Sequence, residues 1–161
     1  MGQKDTSQVI GCIYDAAKAG ADWGPALNEI ANLARAETAW MVLSMPRLDF
    51  NAVVAPRSDP EIIADYQRHW WQKDPTLETT KPTPVGMITS LDFTGRDRFL
   101  SSEFHNEFWR RSGHSAERLA ANLICEEGAG ASIGIQPARR HDDTTTKVPI
   151  LPKPLLYWFR M

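Results

Sequence analysis

The sequence predicts an α+β domain in which an antiparallel β-sheet of about five strands is flanked by helices. Two observations predict this class. The chain opens with two segments of helical periodicity, and later apolar segments rich in strand-forming residues are joined by connections that suit hairpins. Further helices between the strands are typical of a sheet covered by helices. The length of 161 residues fits one such domain.

Two amphipathic helices are predicted first. Apolar residues recur at three- and four-residue spacing over residues 6–19, where Thr6 or Ser7 suits the N-cap and Gly20 suits the end. The second helix is predicted around Pro25, because proline is tolerated in a first helical turn and an apolar face follows it.

Apolar segments that are rich in strand-forming residues come next. The predicted strands are 38–45, 52–55, 87–88, 119–125 and 131–135. Turn-forming residues 49–51 separate the first two, and the glycine-containing segment 126–130 separates the last two. Each of these pairs is therefore predicted to form an antiparallel hairpin.

A third helix is predicted after Pro60, with Ile62, Tyr66 and Trp70 along one side. It should end before Pro75, because proline disfavours the helical conformation in the residue that precedes it. The stretch that follows is rich in threonine and proline, so it is predicted to be a loop of the kind that often covers a pocket.

A fourth helix is predicted to start from a cap at Ser101 or Ser102, with Phe104 and Phe108 on its buried side. Gly113 lies just beyond it, where a left-handed residue commonly ends a helix. This helix leads directly into the fourth predicted strand.

The composition is that of an ordinary globular protein. Hydrophobic residues make up 42% and charged residues 24%, and the net charge of −2 provides no basic excess for nucleic acid phosphates. No apolar run approaches the ~18 residues of a membrane span, and no secretion signal is evident, so we expect a cytoplasmic protein without membrane contact. Cys12 and Cys125 are expected to be buried free thiols, because two isolated cysteines suit neither a disulfide framework nor a metal cluster.

Two segments carry a family resemblance. They are 66–75, Tyr-Gln-Arg-His-Trp-Trp-Gln-Lys-Asp-Pro, and 101–123, in which the fourth helix runs through a glycine turn into a strand. Together they resemble the ligand-sensing domain at the N-terminus of LuxR-type bacterial transcription regulators. The resemblance implies an α-β-α sandwich of the PAS or GAF kind, a sensor domain spanning 1–143, a small and partly apolar ligand, and a homodimer.

The C-terminal segment 144–161 departs from that family pattern, in which a long amphipathic helix leads to a helix-turn-helix DNA-binding domain. It contains Pro149, Pro152 and Pro154 before an apolar cluster, and the prolines disfavour such a helix. We expect a frameshifted or prematurely ended regulator without its own DNA-binding module. The apolar cluster is expected to pack on the sheet or on a partner subunit.

The resemblance also indicates candidate ligand contacts. In the lactone receptors of this family, a tyrosine and an Asp-Pro pair hydrogen-bond the acyl amide, and Tyr66 and Asp74 match those positions. Their spacing is shorter than in those receptors, which counts against lactone recognition. Trp40, Trp70 and Phe93 are candidates for the apolar wall. Without a ligand, Asp74 would close the turn before the proline, and the aromatic side chains would be ordinary core.

Catalysis is not expected. The acid and base residues show no metal-site spacing such as His-Glu-x-x-His and no Gly-x-Ser-x-Gly elbow. His69, His105 and His114 are interpreted as solvated surface residues, and no cofactor is implied. The sequence therefore favours a small-molecule-sensing regulatory domain. The alternative is a dimerisation module, a regulator remnant that binds no ligand and titrates a full-length relative.

Overall fold

The computed structural model describes residues 3–19, 22–45, 47 and 50–137. The strands are β1 (Ala36–Met45), β2 (Phe50–Val54), β3 (Ile88–Ser90), β4 (Leu119–Glu126) and β5 (Ala129–Pro137). The helices are α1 (Gln3–Ala19), α2 (Gly24–Ala34), α3 (Pro60–Arg68), α4 (Leu77–Thr80), α5 (Leu91–Thr94) and α6 (Arg96–Ser101). There are also 3-10 turns at Trp70–Lys73 and Trp109–Ser112 and a π-helical turn at Phe104–Phe108.

The strands form one antiparallel sheet in the order β2-β1-β5-β4-β3. Both predicted hairpins are present, with Met41 opposite Val54 in one and Cys125 opposite Gly130 in the other. β5 also pairs with β1, so the two hairpins join at the centre of the sheet. The predicted class, an antiparallel sheet of five strands flanked by helices, is confirmed. The predicted domain boundary and C-terminal tail lie outside the described residues.

One face of the sheet is covered by α1 and α2. Pro25 lies in the first turn of α2, as predicted, and the helix ends at Ala34, followed by the C-cap Arg35, whose φ of 52° is left-handed. The core on this face consists of small and aliphatic side chains: Val9, Leu27, Ile30, Ala31, Leu33, Ala34, Ala36, Ala39, Leu119 and Ile135. Because all of these side chains are apolar, their burial is uniformly favourable.

The opposite face is covered by α3, the short helices and a layer of aromatic rings. Trp70 stacks on Phe108 with ring centres 5.5 Å apart, and Phe104 meets Phe99 edge to face at 6.0 Å. Trp70 Nε1 donates to Asp65 over 3.2 Å, so its polar atom is satisfied. We call Trp70, Leu91, Phe99, Phe104 and Phe108 the aromatic layer.

The third helix is shorter than predicted. It ends at Arg68 because His69 leaves the helical region, with φ −139° and ψ −50°, and Trp70 lies in the 3-10 turn that follows. The prediction that one helix carries both Tyr66 and Trp70 is therefore wrong. Three short helices, α4, α5 and α6, also lie in segments for which only loop or turn structure was predicted or no element was assigned.

The predicted helix ends are partly confirmed. α1 begins at Gln3, upstream of Thr6 and Ser7, so neither residue caps it. Ser102 Oγ does accept from the backbone N–H of the residue three positions later, over 3.1 Å, and Gly113 has the expected left-handed φ of 75°. Between these two points the backbone is a π turn and a 3-10 turn and not one regular helix.

Both described cysteines are free, but neither is buried. Cys12 is half-buried on α1, and Cys125 is exposed near the end of β4, where its Sγ donates to Lys81 O over 3.2 Å. The prediction of buried thiols is wrong because the last residues of β4 are exposed to solvent. Within the described ranges, no helix has the length and apolar composition that crossing a membrane requires.

Candidate functional site

A cavity of about 90 Å³ lies between the sheet and the aromatic layer. We call it the Arg118 cavity, and it is lined by Trp40, Val42, Val53, Ala55, Ser58, Ile62, Ile63, Tyr66, Asp74, Phe108, Trp109, Ser112, His114, Arg118 and Gln136. Apolar side chains form much of the wall, and several polar groups converge on it. Small-molecule sites typically combine these two properties.

Two further spaces continue along the same face of the sheet. A narrow space of about 30 Å³ shares Trp40, Tyr66 and Arg118 with the Arg118 cavity. A larger space of about 310 Å³, the distal groove, shares Asn122 with the narrow space. Asn122 Nδ2 donates to Thr80 O over 2.7 Å and so holds the threonine-rich covering segment on the sheet.

The indole of Trp40 forms one wall of the cavity and depends on a glycine beside it. Trp40 on β1 pairs with Gly134 on β5, where a Cβ atom would lie 2.2 Å from Trp40 Cζ2. Only glycine therefore leaves room for the ring to lie across β5. By strand alternation, Gly130, Ser132 and Gln136 face the same side, so β5 presents mostly small residues to this face.

Tyr66 and Asp74 meet at the cavity wall. Asp74 is 8% exposed, and its Oδ1 accepts from the backbone N–H and the hydroxyl of Thr76 over 2.9 and 2.5 Å. It therefore closes the turn around Pro75 and also lines the cavity. Burial raises the pKa of Tyr66 well above its ordinary value of 10.0, and the negative charge of the nearby Asp74 carboxylate raises it further, whereas Arg118 lowers it. The phenol is thus neutral and a donor at physiological pH.

Arg118 is the buried cation of the site. It is 5% exposed, and its Cζ lies 5.8 Å from the centre of the Phe99 ring. Burial lowers the pKa of Arg118 below 12.5, whereas the nearby Asp74 and Tyr66 raise it. Within the described ranges, the guanidinium has no carboxylate within 4.0 Å and no hydrogen-bond acceptor. A buried charge without a direct partner is costly, so this position favours an acceptor that enters from outside.

Two more polar groups at the cavity lack partners among the described residues. Gln136 is 1% exposed and its Oε1 accepts no hydrogen bond, and the buried Trp40 Nε1 has no acceptor. Leaving such a group unpaired costs about 1–3 kcal/mol, so buried polar atoms are normally satisfied. These atoms provide hydrogen-bonding capacity that a bound molecule can use.

A hydrogen-bonded chain lies at another part of the cavity wall. Ser58 Oγ is 3.1 Å from His114 Nε2, and His114 Nδ1 is 3.2 Å from Glu37 Oε1. The His114 side chain is 13% exposed, so its interpretation as a solvated residue is wrong. Serine hydrolases use the same order of groups, but here the Ser58 backbone N–H donates to Ala55 O and is not available to an oxyanion. The chain fixes the orientation of the imidazole.

The titratable side chains near the cavity do not form a metal site. In the part of the chain that the structure describes, no three His, Cys, Asp or Glu side chains are grouped closely enough to hold a metal ion. The polar groups of the cavity are instead a guanidinium, an amide, an indole and hydroxyls, which suit hydrogen bonding to an organic molecule.

The structure brings three of the five predicted site residues together, because Tyr66, Asp74 and Trp40 all line the Arg118 cavity. Trp70 is not among the lining residues. It lies in the aromatic layer and contacts the cavity-lining Phe108, so it supports the wall from behind.

Phe93 lies away from the site. It is 49% exposed on α5, whose buried side carries Leu91 and Thr94. The prediction that Phe93 lines the pocket followed from its aromatic character. The short helix turns its ring toward solvent instead.

Sequence reasoning missed Arg118, Gln136 and His114. One signal was available for Gln136, because it continues the alternation of small and polar residues along β5 beyond the predicted strand end. Nothing local marks Arg118, since its burial depends on Phe99, which comes from α6.

Comparison with known proteins gives a likeness of fold. No protein-family model matches the sequence, and no curated protein matches it. Among solved structures, the crystal structure of the VqsR LBD (ligand-binding) domain from Pseudomonas aeruginosa is similar, with a TM-score of 0.66. The match covers 88% of this chain and 85% of that chain at 12% sequence identity. At this identity the likeness shows a shared fold, which agrees with the antiparallel sheet flanked by helices that the sequence predicts.

Proposed function

We propose that this chain is a small-molecule-sensing domain of the LuxR-type regulator kind, and that a small, partly apolar ligand binds in the Arg118 cavity. One observation carries the proposal: Arg118, Gln136 and Trp40 all line one cavity, and each has a polar group without a hydrogen-bond partner among the described residues. The fold likeness to the ligand-binding domain of VqsR, a LuxR-type regulator, supports it.

The proposed binding mode uses both kinds of cavity wall. The apolar part of the ligand packs against Trp40, Ile62 and Trp109, and its polar part lies near Tyr66 and Asp74. Trp109 Nε1 already donates to a backbone oxygen over 3.2 Å, so this ring contributes apolar surface. Burial of apolar ligand surface supplies affinity, while the few polar groups determine which molecule fits.

The wider features of the proposal come from the family resemblance. The domain acts in the cytoplasm as a homodimer, uses no cofactor and performs no catalysis, and its described residues bind ligand and not DNA. A bound ligand stabilises the folded domain, by about 2.7 kcal/mol at a hundredfold excess over its Kd. In a regulator, that free energy is available to bias association or the position of another module.

The alternative function, a dimerisation module that binds no ligand, remains a distinct candidate. It predicts that the polar groups of the cavity meet no organic ligand and therefore select no molecule. The ligand-binding proposal gives these groups a use, and this difference is why we favour it.

The test is a search for a compound that the protein retains from its expression host. The purified chain is denatured, and released small molecules are identified by mass spectrometry. Val42→Phe is the blocking variant, because Val42 lines all three spaces. Met41→Phe is the matched control, because Met41 lies on the same strand but packs against the core under α1 and α2.

We expect a compound from the wild-type chain and from Met41→Phe and none from Val42→Phe. If a compound is released equally by all three folded proteins, it is bound elsewhere, and the proposed site is wrong. If no compound is released and no compound from a metabolite library raises the thermal midpoint, the ligand-free alternative replaces the proposal.

A further inference from the structure

The Arg118 cavity contains more hydrogen-bond donors than acceptors that are free to meet a ligand. The guanidinium offers five N–H groups, and the Trp40 indole offers one more. The obvious acceptor, Asp74, already uses its Oδ1 for two bonds from Thr76 and also acts electrostatically on Tyr66. An acceptor-rich group on the ligand would therefore complement the site.

The charges around the cavity also restrict the ligand. Arg118 is one positive charge, and Asp74 is the negative charge that acts on it without forming a close ion pair. A group with a single negative charge would pair with the guanidinium, whereas a dianion such as a phosphate monoester would face stronger repulsion from Asp74. A planar carboxylate also matches the fork of the guanidinium, which can bind it through two parallel hydrogen bonds.

The side chains that line the Arg118 cavity indicate the shape of the apolar part of the ligand. The rings of Trp40, Phe108 and Trp109 line the cavity together with Ile62, and the volume of about 90 Å³ admits only a compact group. Flat aromatic walls offer stacking and edge contacts to a planar ring. A longer ligand would have to continue toward the distal groove.

We propose that the ligand carries a carboxylate that binds Arg118, on a compact apolar body with an aromatic ring that lies among Trp40, Phe108 and Trp109. This inference rests on the proposed function and names the ligand class of the same site. Trp40 Nε1 donates to one carboxylate oxygen, and the Gln136 amide contacts a second polar substituent where the ligand has one.

The test compares two probes of nearly equal shape, phenylacetate and phenylacetamide, by titration calorimetry on the full chain. They differ in charge at the group that would meet Arg118. We expect phenylacetate to bind about tenfold or more tightly than the amide, because hydrogen bonds to charged groups are the stronger ones.

Arg118→Met tests the residue assignment. Methionine keeps much of the length of arginine without the charge, so we expect the preference for phenylacetate to be lost. Without any ligand, the thermal midpoint should rise, because a buried charge without a close partner has been removed. That gain would also show that the variant is folded.

The matched control is Arg98→Met. Arg98 is 56% exposed and pairs with Glu78 at the surface, so the substitution changes the net charge equally but should leave the preference for phenylacetate intact.

Three results would overturn the carboxylate inference: equal or tighter binding of phenylacetamide, no binding of phenylacetate at millimolar concentration, or a preference that survives Arg118→Met. Tight binding of the amide would leave the proposed function in place and change only the ligand class. Failure of the proposed function is read separately, from the retained-compound experiment.

Discussion

Between the sheet and the helices α1 and α2 lies a core of small and aliphatic side chains, in which Leu27 of α2 is fully buried. On the opposite face the sheet meets aromatic rings across a cavity that is lined by Arg118, Gln136 and Trp40, each with a polar group that has no hydrogen-bond partner among the described residues. The first face gains stability from every group that it buries. The second face also buries polar groups without a hydrogen-bond partner among the described residues, and burial of an unpaired polar group is unfavourable. The comparison indicates that one face holds the fold together and that the other is available for function.

The largest loss of stability is expected in the core under α1 and α2. Leu27→Ala should reduce the free energy of unfolding by about 2–5 kcal/mol, because it leaves a hole in close-packed aliphatic core. The matched variant is Leu77→Ala, since Leu77 is half-buried and already lines open space on the other face. Its loss should be clearly smaller. Denaturant unfolding measures both, and equal losses would show that the two faces do not differ in packing.

The second-largest loss of stability is expected at Gly134, the glycine beside the Trp40 indole. Gly134→Ala should cost about 1–3 kcal/mol, because the new Cβ would overlap the Trp40 ring and force it to move. Gly130→Ala is the control, since its Cβ would come no closer than 4.0 Å to Ile124 O.

A double-mutant cycle sharpens this prediction. In a Trp40→Ala background, Gly134→Ala should lose most of its cost, because the ring that it displaces is absent. An unchanged cost would mean that Gly134 is needed for the backbone of β5 and not for the position of the indole.

The smallest expected effect is a change in the stability of the fold at alkaline pH. The folded chain holds the Tyr66 proton at pH values where the unfolded chain has lost it, so the wild type loses stability as pH rises above about 10. Tyr66→Phe removes this loss, and its stability relative to wild type should rise by at most about 1.4 kcal/mol per pH unit in that range. The exposed Tyr14→Phe is the control. If the difference in stability between Tyr66→Phe and the wild type stayed constant from about pH 8 to about pH 11, burial of the phenol would be contradicted.

Much of the fold could be predicted because its signals are local. Alternating and apolar strand segments gave both hairpins, Pro25 gave the start of α2, and Gly113 gave a left-handed helix end. The short helices were harder to predict. A single turn such as α4 or α5 has too little sequence for a periodic pattern, and the break at His69 carries neither proline nor glycine.

The site was only partly predictable, for a physical reason. Tyr66 and Asp74 were found because both lie in the short segment 66–75, which resembles the ligand-contacting segment of the LuxR-type sensing domains. Arg118 was not found, because an arginine becomes buried only where distant segments close over it, here Phe99 and the sheet. Phe93 was predicted as a wall residue because it is aromatic. Aromatic character does not determine which side of a short helix faces the core, and on α5 the buried residues are Leu91 and Thr94.

Whether a ligand binds in the Arg118 cavity can be read from the indole N–H resonances of Trp40 and Trp23. Trp40 lines that cavity, whereas Trp23 packs against the core under α1 and α2. Both can be followed in one ¹⁵N-correlated spectrum, assigned with Trp→Phe variants, during addition of phenylacetate and then phenylacetamide. We expect a saturable shift of the Trp40 signal with at least one probe, while the Trp23 signal stays in place. A stationary Trp40 signal with both probes, or equal movement of the two signals, would contradict this expectation.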